Sequence, residues 1–388
     1  MILTQCAACA APLGFVMGKK CSRCSTRYCG PACQKKHWEE GGHDKPCKKI
    51  RKGGGAEQYH ADEMYKGAVM VAAEACAEDT KGQTCYICTE AVHRHTKEGL
   101  VRGCACGDCA GVDSGITGIA HVTCLAEQAK ILHKEAEENN ADTKTKQARW
   151  HQWHTCSLCR QSYHGVVRCA LSWACWKTYV SRPDTYKMRL VALDQLGHGL
   201  YHAKHFAAAL SVYRSVLSTM RRNGAAEYAI LAVQSNLAGT YSELGRHEDA
   251  LQLKQDTYFG TLKARGEENS LTLFSAASYA ATLVDLRRFK EARLLLLKTI
   301  PVGQRVFGES HEFTLKVRST FATALYNDAG ATLYDLREAV KILEATEPTA
   351  RQVFGNAHPT SVHVGDSLRD ARAALGAYET PSSASRAV

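Results

Sequence analysis

Asn236-Leu-Ala-Gly-Thr-Tyr-Ser-Glu-Leu-Gly-Arg-His-Glu-Asp-Ala250 recurs 42 residues later as Ser278-Tyr-Ala-Ala-Thr-Leu-Val-Asp-Leu-Arg-Arg-Phe-Lys-Glu-Ala292. A third copy starts at Thr320 and reaches Leu336-Arg-Glu-Ala339 after a five-residue insertion near Asn327–Thr332. An earlier copy runs from Leu196 to Phe206-Ala-Ala-Ala209. Turn elements repeat too: Gly266-Glu-Glu-Asn, Gly308-Glu-Ser-His and Gly355-Asn-Ala-His-Pro359. Each copy reads as two amphipathic helices joined by a short turn, with Ala where the helices cross. One such unit cannot bury its apolar face alone, so about four are expected to stack into an all-α solenoid with a concave groove. From their place on the first helix of a unit, Ser235, Asn236, Ser242, Glu243, Ser278 and Asp285 are candidates for that groove, with a solvated face as the plainer reading of any one of them.

Outward from the repeats the composition changes. All 18 Cys of the 388 residues lie between Cys6 and Cys175. The N-terminus, Met1-Ile2-Leu3-Thr4-Gln5-Cys6, lacks a basic stretch followed by an apolar core, so no signal peptide is expected and the chain reads as cytoplasmic or nuclear. Thiols stay reduced there, so the cysteines call for metal rather than disulfides. No apolar run is long enough for a membrane span. A hydrophobic fraction of 45% and a charged fraction of 23% are those of a globular protein.

Two clusters of eight ligands emerge. The first is Cys6-x2-Cys9, Cys21-x2-Cys24, Cys29-x3-Cys33 and His43-x3-Cys47. Short-spaced pairs let both sulfurs reach one zinc, and eight ligands fill two tetrahedral sites. The second is Cys85-x2-Cys88, Cys104-x-Cys106, His121-x2-Cys124 and Cys156-x2-Cys159. About four structural zincs per chain follow. Cys76, Cys109, Cys169 and Cys175 are left over, and of these Cys109 is a rival to Cys104 or Cys106. Residues 1–52 hold eleven Lys/Arg against three acids, a formal +8 that zinc-bound thiolates reduce to about +5. The lysines lack interleaved aromatics, so nucleic-acid binding through this segment is a lesser alternative.

The first cluster resembles the MYND zinc finger, with Tyr28-Cys29, Cys33-Gln34 and His37-Trp38 at family positions. The resemblance implies interleaved sites, Cys6, Cys9, Cys29 and Cys33 against Cys21, Cys24, His43 and Cys47. The longer stretch Glu39-Glu40-Gly41-Gly42 leaves His37 as a rival to His43. Such fingers dock short Pro-containing peptides, which makes Gln34 and Trp38 candidate contacts, although Trp38 also suits the finger's small core. The second cluster resembles a RING-CH-like RING finger, in a cross-brace that pairs Cys85, Cys88, His121 and Cys124 against Cys104, Cys106, Cys156 and Cys159. In that family Ile87, Trp153 and Arg160 would face a ubiquitin-conjugating enzyme. The gaps from Cys106 to His121 and from Cys124 to Cys156 are longer than usual there. The repeats resemble tetratricopeptide (TPR) repeats of the kinesin-light-chain-like type.

The expected organisation is a MYND-type finger at 1–50, then a linker with a short helix at 51–80. A RING-like module with an aromatic connector follows at 81–180, helical repeats at 181–378 and a disordered tail at 379–388. The functional expectation is a zinc-binding interaction scaffold with protein partners, and the alternative is a ubiquitin ligase whose repeats recruit substrate. A methyltransferase reading fails, because no glycine-rich cofactor loop and no Asn-His-Ser-type segment is present. No catalytic nucleophile is seen, and whether the chain is an enzyme stays open at this point.

Overall fold

The computed structural model describes residues 5–11, 13, 18–104, 106, 118–183 and 185–380. The chain forms two compact units, the first ending at Ala226 and the second beginning at Glu227.

The first unit opens with a two-stranded antiparallel ribbon, β1 (Lys19–Lys20) and β2 (Arg27–Tyr28), in register Lys19 to Tyr28. Helices α1 (Pro31–Glu39), α2 (Asp44–Lys52) and α3 (Ala56–Ala75) follow. Further along come α4 (Val122–Glu138), α5 (Thr143–His151), α6 (Gly165–Tyr179), α7 (Lys187–His202) and α8 (Phe206–Arg222). The basic, Gly-rich residues 48–55, whose composition suggests a flexible linker, are instead ordered. Lys48–Lys52 belong to α2 because Cys47 and Ile50, three apart, bury one side of that helix. Gly54 and Gly55 then turn the chain at φ of +85° and +93°, backbone that a side chain would strain. The Gly55 N–H bonds the Ile50 carbonyl and the Ala56 N–H the Cys24 carbonyl, tying α3 to the finger.

Helix α6 is the centre of this unit. It is mostly apolar, with residues 167–176 and Tyr179 buried (Arg168 and Ser172 among them), and it packs against α3, α4 and α7. That pattern is what a helix enclosed on every side requires. The packing is therefore continuous through residue 180, where the change in cysteine content suggested a boundary, and the break between units comes after the first helical hairpin, α7–α8. Glu57 on α3 reinforces the same link, since its two carboxylate oxygens accept from Arg27 of β2 and from Arg189 of α7, both at 2.7 Å.

The second unit is a run of hairpins: α9 (Glu227–Glu243) with α10 (His247–Arg265), α11 (Ser270–Asp285) with α12 (Phe289–Phe307), and α13 (Glu312–Tyr326) with α14 (Leu333–Phe354). Helix α15 (Pro359–Glu379) closes it against α14 and α13. The first helices of successive hairpins, α9, α11, α13 and then α15, lie side by side. The repeating alanines explain the stacking. Ala238, Ala280 and Ala322 on the first helices, and Ala250, Ala292 and Ala339 on the second, are fully buried where the helices approach. The repeating turns have a backbone reason. Gly266, Gly308 and Gly355 end their helices at φ near +80° to +90°. Three residues on, the Asn269, His311 and His358 side chains accept the first N–H groups of the next helix. Among the described residues no helix is long and apolar enough to cross a membrane. The expected tail beyond Thr380 lies outside the described residues.

Candidate metal centres and partner surfaces

Among the described residues four groups of ligands converge, and each is a set of four: Cys6, Cys9, Cys29 and Cys33; Cys21, Cys24, His43 and Cys47; Cys85, Cys88, His121 and Cys124; Cys104, Cys106, Cys156 and Cys159. Within each group the ligand atoms lie within 4.8 Å of one another. A tetrahedral zinc with 2.3 Å bonds sets its sulfurs about 3.8 Å apart. The Cys106 and Cys156 sulfurs are 3.6 Å apart, the Cys21 and Cys47 sulfurs 4.0 Å, and the Cys9 and Cys29 sulfurs 3.2 Å. His43 presents Nε2 at 3.3 Å from the Cys24 sulfur, and His121 presents Nδ1 at 3.3 Å from that of Cys88. The donor sets, all thiol and imidazole with no carboxylate, suit zinc.

At Cys6, Cys21 and Cys85 the local backbone favours the thiolate. Burial pushes the Cys6 thiol up, but the backbone N–H groups of Cys29, Ala8 and Cys9 outweigh it and bring it down to about 6. The same contest lowers Cys21 and Cys85, whose sulfurs accept from the N–H groups that follow them in their own knuckles. A lowered thiol is the form that binds metal at neutral pH. Burial meanwhile lowers His43 and His121, keeping each imidazole neutral for ligation.

The choice between His43 and His37 is visible in their surroundings. His43 is 1% exposed and sits in the ligand group, whereas His37 turns its Nδ1 to the Tyr28 hydroxyl at 3.0 Å. The two extra residues before His43 are absorbed by a turn in which its N–H bonds the His37 carbonyl. Cys109 lies outside the described residues. Cys76 is buried with its sulfur 3.5 Å from the Arg102 carbonyl, and Cys169 and Cys175 are buried on α6, outside all four groups.

The partner candidates separate on exposure. Trp38 is 38% exposed, packs edge-on against His43 and carries the Arg23 guanidinium 5.7 Å from its ring. It thus supports the finger and faces solvent at once, with half-buried Gln34 one turn before it on α1. Ile87 is 37% exposed, and Arg160 is exposed at φ +61°. Trp153 corrects the sequence expectation. It has no exposed surface, being enclosed beside the rings of Trp150 and Tyr179, so it holds α5 to α6 rather than touching a partner. An aromatic residue before the last ligand pair is as useful in a core as on a surface, and spacing cannot tell the two apart. The sequence reading missed Leu158, 42% exposed, next in sequence to Ser157, whose hydroxyl meets that of Tyr86, the neighbour of Ile87, at 3.0 Å. In the second unit Asn236, Ser235, Ser242 and Ser278 are half-buried, and Glu243 and Asp285 are exposed.

Comparison with known proteins meets this geometry. Residues 6–47 match the MYND finger family. Residues 275–312, spanning α11 and α12, match a tetratricopeptide repeat. No curated protein matches the chain. Among solved structures, a putative kinesin light chain from Podosopora anserina with nearly identical TPR-like repeats is 20% identical. The match covers 49% of this chain and 89% of that one, with a TM-score of 0.40. BtubC (BKLC) from P. vanneervenii is 14% identical over 66% of this chain and 88% of its own, with a TM-score of 0.37. The chain thus combines an N-terminal cysteine-rich zinc-binding region with helical repeats of the TPR kind. MYND fingers and TPR repeats are protein-interaction modules.

Proposed function

We propose that the protein is a zinc-stabilised adaptor that holds Pro-containing segments at Trp38 and Gln34 and other protein clients along the α9–α11–α13 side of its repeats. The observation that carries this reading is the closure of the metal groups. Each supplies four protein ligands and so leaves no position for an activated water, which makes the metals supports for surfaces. Binding of a proline-containing peptide array to the full chain tests it. Loss of binding in Trp38→Ala with zinc content intact is the expected result, and equal binding by that variant counts against the finger's role. The groove is tested with Asn236→Ala against captured clients.

A second reading, a ubiquitin ligase, rests on the exposed pair Ile87 and Leu158 with Arg160 beside them. Autoubiquitination with an Ile87→Ala control decides it, and silence across a panel of conjugating enzymes removes it.

A further inference from the structure

The charge on the finger is distributed unlike that of the repeats. In the second unit most exposed cations are answered in place, as in Arg246 with Asp249, Arg288 with Glu291 and Arg372 with Glu344, each at 2.7 Å. Helix α2 is different. Lys45, Lys48, Lys49 and Lys52 are all exposed and follow the i, i+3, i+4, i+7 spacing, so they form one stripe along the helix. None of the four makes an ion pair among the described residues, although Lys49 lies against Tyr59, 5.5 Å from its ring, and in the field of Glu63. The other side of the helix is fixed by Cys47 and Ile50, so the stripe cannot turn inward. Four like charges at this spacing repel one another, and a helix gains nothing from them alone.

We propose that this stripe is a docking face for an acidic, extended protein segment flanking the proline-containing peptide held at Trp38. The inference rests on the peptide-docking reading above and deepens it. Trp38 packs on His43, the residue that precedes the first turn of α2, so the finger's peptide surface and the stripe meet at one end of the helix. Seven residues of helix span roughly 10 Å, the length of about three residues of extended peptide. Two or three neighbouring Asp or Glu residues therefore match the stripe. Nucleic acid fits less well. The stripe is short, and its lysines are point charges without the forked geometry that reads bases.

The test crosses two features in fluorescence anisotropy with the full zinc-loaded chain: peptides with or without the proline core, and with an acidic or a Ser/Asn flank. Expected is at least tenfold tighter binding of the acidic-flanked peptide at low salt, a gap that closes toward 0.5 M salt and in Lys48→Glu/Lys52→Glu with zinc content unchanged. Equal affinity for the two flanks overturns the stripe, even if binding still needs the proline core and Trp38. If the core makes no difference while the flank does, the Trp38 reading fails and the acidic preference of α2 remains. A short DNA duplex that binds more tightly than the acidic peptide, and loses that binding in the same variant, also overturns it.

Discussion

Lys254 on α10 donates from its ammonium to the hydroxyl of Thr282 on α11, across the joint between two hairpins. It also donates to Ser242 Oγ of α9 at 2.9 Å and forms no ion pair among the described residues, although Asp285 and Glu243 lie near enough to favour its charge. The position is 5% exposed. At the matching point of the next two hairpins stand Leu296 and Leu343, both fully buried. This joint alone puts a cation where its neighbours place a leucine.

Replacing it should therefore strengthen the second unit. Burial lowers Lys254 to about 8, and Asp285 and Glu243 only partly oppose that. Against an ordinary lysine, this corresponds to about 3 kcal/mol lost on folding at neutral pH. Lys254→Leu with Ser242→Val should raise the second unit's unfolding midpoint in urea, and no increase would show the hydroxyls fully compensate the charge.

The same residue sets a pH window. Its folded value is depressed, so between about 8 and its unfolded value the unfolded chain binds more protons and stability rises with pH. Below 8 the penalty is complete and constant. The difference in stability between the native chain and the leucine variant should accordingly shrink from pH 8 to 10, measured by chemical denaturation, and stay level from pH 6 to 7.

Glu57 predicts a failure confined to the first unit. Glu57→Gln removes the carboxylate that Arg27 and Arg189, both nearly buried, share. Such a loss costs about 3–5 kcal/mol. A double-mutant cycle with Arg189→Met should show strong coupling, while the unfolding of residues 227–380 is unchanged.

Chelation should reach further than the cysteines do. Because α6 packs on α3, α4 and α7, stripping the metals is expected to open residues 5–226, the hairpin α7–α8 included, and to spare 227–380. Hydrogen exchange with and without EDTA reads this directly, and protection retained in α7 would refute it.

Ligand identity is open to counting. Native mass spectrometry should find one zinc fewer in His43→Ala and the full number in His37→Ala.

The ligand sets and the hairpins were legible because each depends on near-neighbour spacing: x2 and x3 knuckles, and a 42-residue alanine period. The rest depends on what lies opposite in space. Whether Trp153 faced a partner or a core turned on Trp150 and Tyr179. Whether Lys48–Lys52 formed a linker or a helix turned on Ile50 finding the finger's core. Lys254 stood in plain view within the repeat, yet only alignment with Leu296 and Leu343 together with its burial exposes its oddity.

Helix α6 also constrains the order in which the chain is made. Its partners lie on both sides of it in sequence, so the N-terminal unit cannot close until α7 and α8 have emerged from the ribosome. At ordinary rates of synthesis the stretch from Cys47 to Arg222 takes roughly 10–35 s. For that interval the finger, whose own core is complete once Tyr59 has emerged, stands beside a unit that is still open.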